Sequence, residues 1–181
     1  RDPLNQAYAD AMRKVYREHA DDPLVATLFA ESLMNLQPWK HWTPDGKPGP
    51  HTKEIVEVLE SALKRFPDYP ALCHLYIHTI EASPTPQKAL FVANRLRNAM
   101  PGVGHLVHMP THIDVLCGHY HNVVAWNSEA IVANRKYLAR EGALNFYSTY
   151  RAHDYHFAIY GAMFLGQYEA AIEAANELIE T

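Results

Sequence analysis

Apolar residues recur every three or four positions along most of the chain, the spacing of a single helix face, and no stretch shows sustained alternation of period two. In 4–20 the face is Ala7, Ala11, Met12 and Val15; in 24–36 it is Val25, Leu28, Leu33 and Leu36. The same test predicts helices over 52–66, 70–82, 86–100, 103–117, 122–140, 150–165 and 168–179. Asp21, Asp22 and Pro23 mark a break and a new start, because proline is at home in a first helical turn. The segment 37–51 carries four prolines, two glycines, Trp39 and Trp42, and reads as a long loop. The predicted fold class is all-α.

The helices repeat. With Ala11, Ile55, Ala89, Val123 and Ala171 as anchors, the separations are 44, 34, 34 and 48 residues. Pro23, Pro67 and Pro101 each stand twelve residues after the first three anchors. Gly118 and Gly166 precede their anchors by five, and Tyr120 and Tyr168 by three, in a Gly-x-Tyr pattern that turns one helix into the next. This period, with its glycine, tyrosine and proline, resembles the tetratricopeptide repeat family across nearly the whole chain. The resemblance implies an α-solenoid of antiparallel helix pairs forming one array over 1–181. That array has a second helix of a partial repeat at 4–20, then repeats at about 23–67, 70–101, 103–140 and 150–181. Two insertions depart from the pattern, one in the Trp39/Trp42 loop and one around 142–148, and the family's signature tryptophan is missing. The last helix still carries Ile172, Ala175 and Leu178, so more protein or another subunit is expected beyond Thr181.

A balance of 16 basic and 20 acidic residues, with the basic ones scattered, gives no footprint for nucleic acid. No apolar run is long enough to span a bilayer, and the composition is that of a soluble globular chain. No signal-like segment opens the sequence, although a start at Arg1 leaves an upstream segment open. Compartment is not legible. Cys73 and Cys117 lie far apart in apolar surroundings and are expected to pack as small buried residues without a disulfide.

Histidine changes the picture. There are twelve, and seven of them cluster at His74 and His78, at His105, His108 and His112, and at His153 and His156. Fifteen residues before Ala89, Val123 and Ala171 stand His74, His108 and His156; eleven before the first two stand His78 and His112; eighteen before the last two stand His105 and His153. Equivalent offsets in successive repeats face the same way, and the resemblance implies that they line a concave groove. Glu81 follows His78 by one turn, and matching Pro23 with Pro70 places Glu31 beside His78. The expected metal ligands are therefore His74, His78, His105, His108, His112, His153, His156, Glu81 and Glu31. An imidazole-rich set suits copper or zinc, or iron, better than magnesium or calcium, with enough ligands for one or two ions. Asp154, Tyr76 and Tyr160 are candidates to orient the rings.

Pro110 stands inside a predicted helix, where it deletes a backbone hydrogen bond, so that helix must start late or kink. The segments HLYIHTIEAS, GHLVHMPTH and HDYHF also resemble a set of histidine-rich bacterial tetratricopeptide proteins, which implies one site spread over the three motifs. The leading expectation is a protein that binds transition metal, with metalloenzyme chemistry open to it. The Trp39/Trp42 loop and Phe146, Tyr147 and Tyr150 would wall a small-molecule or peptide ligand. The alternative is a scaffold that binds peptide or protein without metal.

Overall fold

The computed structural model describes residues 2–142 and 144–180, and the two ends of the expected array, Arg1 and Thr181, together with Ala143 of the second insertion, lie outside the described residues. Among the described residues the chain is all-α, with one isolated antiparallel bridge between Trp42 and Pro48. No described helix is long and apolar enough to cross a membrane. The helices fall into two compact units, residues 1–95 and 96–181.

The first unit contains α1 (Asp2–Glu18), α2 (Pro23–Met34), α3 (Thr52–Arg65) and α4 (Pro70–Ile80), then a 3-10 turn at Pro86–Ala89 leading into α5 (Leu90–Leu96), whose last residue falls past the unit boundary. Sequence explains the starts. Asp22 caps α2 by accepting from the Leu24 amide at 2.8 Å, with Pro23 in the first turn. Ile55, Val58, Leu59 and Ala62 are the buried stripe of α3, spaced to cover one face. That stripe meets Phe29 and Leu33 of α2 and Leu72 and Ile77 of α4 in a core where each of these side chains is at most 5% exposed. Each such burial contributes about 1.5–3 kcal/mol. The 37–51 loop is tied to α3 through Gln37: its Oε1 accepts from the His51 amide at 3.0 Å, and its Nε2 donates to Thr52 Oγ1 at 2.9 Å.

The second unit contains α6 (Gly104–His108), α7 (Pro110–Leu116), α8 (Tyr120–Glu141), α9 (Ser148–Phe164) and α10 (Tyr168–Glu180). The helix predicted over 86–100 forms only in part, as the 3-10 turn followed by the seven residues of α5. Pro110 resolves as a kink: Met109 keeps helical dihedrals, φ −49° and ψ −40°, between α6 and α7. The Gly-x-Tyr signals do their expected work. Gly118 (φ 77°) and Gly166 (φ 67°) take left-handed turns, and the next residues' amides reach back five positions, His119 to the Asp114 carbonyl at 2.8 Å and Gln167 to the Ala162 carbonyl at 2.9 Å. Tyr120 and Tyr168 then open α8 and α10. Both cysteines are free, Cys73 buried and Cys117 partly so. Burial pushes the Cys73 thiol up to about 11, so it is an unreactive packing residue.

Candidate metal centre

The centre lies in the second unit, where α6 and α7 pack on α8, and α8 packs on α9. Gly104 allows the close approach: a Cβ there would sit 2.0 Å from Asn134 Oδ1 and 2.9 Å from the Ala130 carbonyl oxygen. This contact presses the first turn of α6 onto α8 and drives His108 fully into the interior. The kinked helix carries His112 one turn further on, and α9 brings His153 to the same point.

His108 Nε2 lies 2.8 Å from His112 Nε2, which in turn lies 3.2 Å from His153 Nε2. All three ligand atoms fall within 4.8 Å of one another, so the trio can hold a metal ion. Nitrogens bonded at about 2 Å to one ion stand roughly 3 to 3.5 Å apart, and the two separations fall at or just under that range. Among the described residues no further histidine, cysteine or carboxylate atom joins this trio at that distance. Phe157, one turn after His153, packs against all three rings with centroid separations of 4.8 Å, stacked on His112 and edge-on to the other two. It closes one side of the trio and limits the imidazole rotamers.

The surroundings fix which nitrogen of His108 carries hydrogen. Asn127 Nδ2 donates to the Val123 carbonyl at 2.7 Å and to Thr111 Oγ1 at 3.1 Å, and the Thr111 hydroxyl donates to the His108 carbonyl at 2.7 Å. The amide oxygen of Asn127 is thereby turned to His108 Nδ1 at 2.6 Å. Asp154 Oδ1 lies 3.5 Å from the same Nδ1. With two oxygen acceptors before it, Nδ1 bears the hydrogen and Nε2 presents its lone pair. Burial, and after it the neighbouring His112, push the His108 pKa well below the ordinary value, so the ring is neutral. His112 Nε2 faces two ring nitrogens at once, and one N–H points in line at only one of them; a cation at the centre satisfies all three.

Asp154 is fully buried, accepts from Asn134 Nδ2 at 2.7 Å through Oδ2, and has its pKa raised to about 7 by burial, against which the Asn134 bond acts. Among the described residues its Oδ1 has no hydrogen-bond partner. The Tyr147 hydroxyl accepts from the His105 amide at 2.8 Å, and Tyr150 packs on the His105 ring at 4.8 Å, so these two aromatics wall the His105 side. Burial, then the charge of Asp154, push Tyr147 up to about 12. Phe146 is 81% exposed and walls nothing.

Not every expected ligand joins this set. His105 stands beside it, its ring 6.0 Å from that of His108. His156 is exposed, and among the described residues it belongs to no group of potential ligands. The cause is rotation: α9 buries Asp154, Tyr155 and Ala158 against its neighbours, and at 100° per residue His156 points roughly 200° away from Asp154. Tyr160 is likewise outward and packs on Phe164 with ring centroids 4.8 Å apart and the rings tilted.

In the first unit, α4 places His74 and His78 on one face with ring centroids 4.8 Å apart. His78 Nδ1 is 2.9 Å from Glu81 Oε1, an orienting contact from the carboxylate to the ring. Glu31 is exposed, acts electrostatically on Tyr8, and among the described residues joins no such group. Tyr76 bonds Glu60 at 2.9 Å and does not serve the imidazoles. Trp39, with φ 62°, sets its edge to His78 at 6.1 Å, while Trp42 Nε1 donates to the Thr79 carbonyl at 2.7 Å, so the predicted loop does pack on α4. His41 of the loop is buried beside this pair, and burial, then the charge of His78, lower its pKa.

Sequence reasoning missed Asn127, Asn134, Thr111 and Phe157. Asn127 and Asn134 are seven apart, two turns of α8, on the face that buries Val123, Ala130 and Ile131. Two amides on an otherwise apolar stripe were a readable signal, since buried polar groups need partners. Comparison with family models, curated proteins and solved structures finds no match, and the reading of this centre rests on its own geometry.

Proposed function

We propose that the chain is a transition-metal-binding helical protein of the tetratricopeptide type, holding one zinc or copper ion through Nε2 of His108, His112 and His153. The convergence of three ring nitrogens on one point, with His108 held in the tautomer that a ligand requires, is the observation that carries this reading. Three neutral imidazoles suit zinc, copper, iron and nickel, and the absence of a thiolate or carboxylate from the trio disfavours hard cations. Three protein ligands with no fourth are the arrangement of sites that bind water or substrate, as opposed to closed structural sites. Such an ion supplies Lewis-acid chemistry: it polarises an oxygen and lowers the pKa of bound water. The chain's own part is to fix the three rings with Phe157, exclude solvent around His108, and offset cationic charge with Asp154.

The test is metal titration of untagged, chelator-treated protein with Zn2+ and Cu2+, followed by elemental analysis after gel filtration. About one equivalent is expected. His153→Ala should lower affinity by tenfold or more, while His156→Ala leaves it within twofold. Retention of less than half an equivalent of either ion, or equal loss in the two variants, sinks the assignment; saturable capture of a peptide indifferent to chelator would put a metal-free scaffold in its place.

A further inference from the structure

We infer that Asn127 is the positioning residue of the centre: its carboxamide, locked by Thr111 and the α8 backbone, selects the Nδ1–H form of His108 and thereby sets the affinity for metal. The inference rests on the proposed metal site and adds to it a residue that touches no ion. A neutral histidine divides between two tautomers, and only the one with Nε2 unprotonated can join His112 and His153 around a common ion. The free ring leans toward the opposite, Nε2–H form, so the surroundings of His108 must select this one. The decision is made by which end of the Asn127 amide faces it, and that end is set by two other bonds.

One is to the Val123 carbonyl, which accepts and cannot donate, so the Asn127 atom 2.7 Å from it must be nitrogen. The other is to Thr111 Oγ1 at 3.1 Å, whose own hydrogen is committed to the His108 carbonyl at 2.7 Å. Both bonds assign Nδ2 to the α8 side and leave Oδ1 toward His108 Nδ1 at 2.6 Å. A flipped amide would place N–H against N–H at His108 and oxygen against oxygen at Val123. His108, Thr111 and Asn127 are each fully buried, so water does not substitute for a lost partner. Thr111 lies three residues after His108 on the kinked helix, so the ligand and the group that orients its orienting amide move together. Asp154 Oδ1, 3.5 Å from Nδ1 and without a hydrogen-bond partner among the described residues, reinforces the same tautomer from the α9 side.

The experiment is Zn2+ binding by competition with a chromogenic chelator at pH 7.5, with 15N-imidazole NMR of the metal-free protein. Variants are Asn127→Leu, which keeps size and removes the acceptor, Asn127→Asp, which keeps the acceptor, and Thr111→Val, which removes the lock. Wild-type His108 should show the Nδ1–H signature. Asn127→Leu should weaken zinc by tenfold to a hundredfold with His108 redistributed between tautomers. Asn127→Asp, whose second oxygen faces the Val123 carbonyl, should keep the Nδ1–H signature of His108 and weaken zinc less than Asn127→Leu does, and Thr111→Val should also weaken it less than Asn127→Leu. Should Asn127→Leu not fold, the Thr111→Val comparison decides. Wild-type binding with Asn127→Leu or Thr111→Val unchanged in affinity and tautomer overturns this inference and spares the metal site. Equal weakening in the Leu and Asp variants, with the His108 signature unmoved, reduces Asn127 to a packing residue and also overturns it. No zinc binding by wild type overturns the site, and this inference with it.

Discussion

At the residue scale, the His108–Asp154 pair governs how the metal-free protein responds to pH. His108 titrates well below its ordinary 6.5 because it is buried, and Asp154 titrates near 7, above its ordinary 3.8, for the same reason. Below pH 6.5, while folded His108 stays neutral, the folded pair holds one titrating proton, on Asp154, and the unfolded pair also holds one, on the histidine. Equal proton counts mean no slope, so while His108 stays neutral this pair leaves stability nearly flat on the acid side of pH 7. Asp154→Asn removes that balance: the unfolded chain then takes up a proton below pH 6.5 that folded His108 refuses, and stability is lost on acidification by up to about 1.4 kcal/mol per pH unit. Denaturant unfolding of wild type and variant at pH 5 and pH 7 measures the difference. The expected result is a stability gap that widens toward pH 5; a gap independent of pH would mean that the two groups do not exchange the proton.

At the element scale, the contact between α6 and α8 is the one that assembles the centre, and it depends on the absence of a side chain at position 104. A methyl there would overlap Asn134 Oδ1 and crowd the Ala130 carbonyl. Gly104→Ala should cost about 1–3 kcal/mol, as overpacking of a close interface does, and should weaken metal binding because α6 carries His108. Gly102→Ala, whose added Cβ would meet nothing within 4 Å, is the matched control and should be neutral. Thermal unfolding of the two variants checks this, and equal transition temperatures would remove the close-approach argument. The helix after the kink is held by a buried ion pair: Arg97 Nη2, just past α5, lies 2.7 Å from Asp114 Oδ2 of α7, with both side chains at most 7% exposed. That pair ties α7 to the segment after α5, and Asn122 Nδ2 in the first turn of α8 also donates to Asp114 Oδ1 at 3.3 Å. By contrast the exposed Arg135–Glu177 fork between α8 and α10, at 2.6 Å, contributes at most about 1 kcal/mol.

At the scale of the whole molecule, the trio lies within residues 96–181, so a metal ion held there would stabilise that unit by mass action. At free zinc a hundred times the dissociation constant the gain is about 2.7 kcal/mol. Hydrogen exchange with and without zinc should show slowed amides in α6, α7 and α9, with α1 to α3 unchanged; slowing confined to residues 1–95 would move the site elsewhere. Periodicity alone determined most of the architecture, because a 3.6-residue apolar repeat has one economical solution. Thus α2, α3, α4, α8, α9 and α10 begin and end close to where the pattern put them, and Gly118 and Gly166 turn as their spacing demanded. The sequence also determined the chemistry on offer, since clustered imidazoles favour transition metals whatever the fold. Tertiary packing alone decided which imidazoles meet. His153 and His156 both lie on α9 in an HDYHF segment, and no local rule prefers one; the burial of Asp154 and Tyr155 against α8 and α10 sets the helix rotation that turns His153 inward and His156 out. It also decided the tautomer, because the amide that orients His108 comes from nineteen residues downstream and finds its partner only when α6 lies against α8.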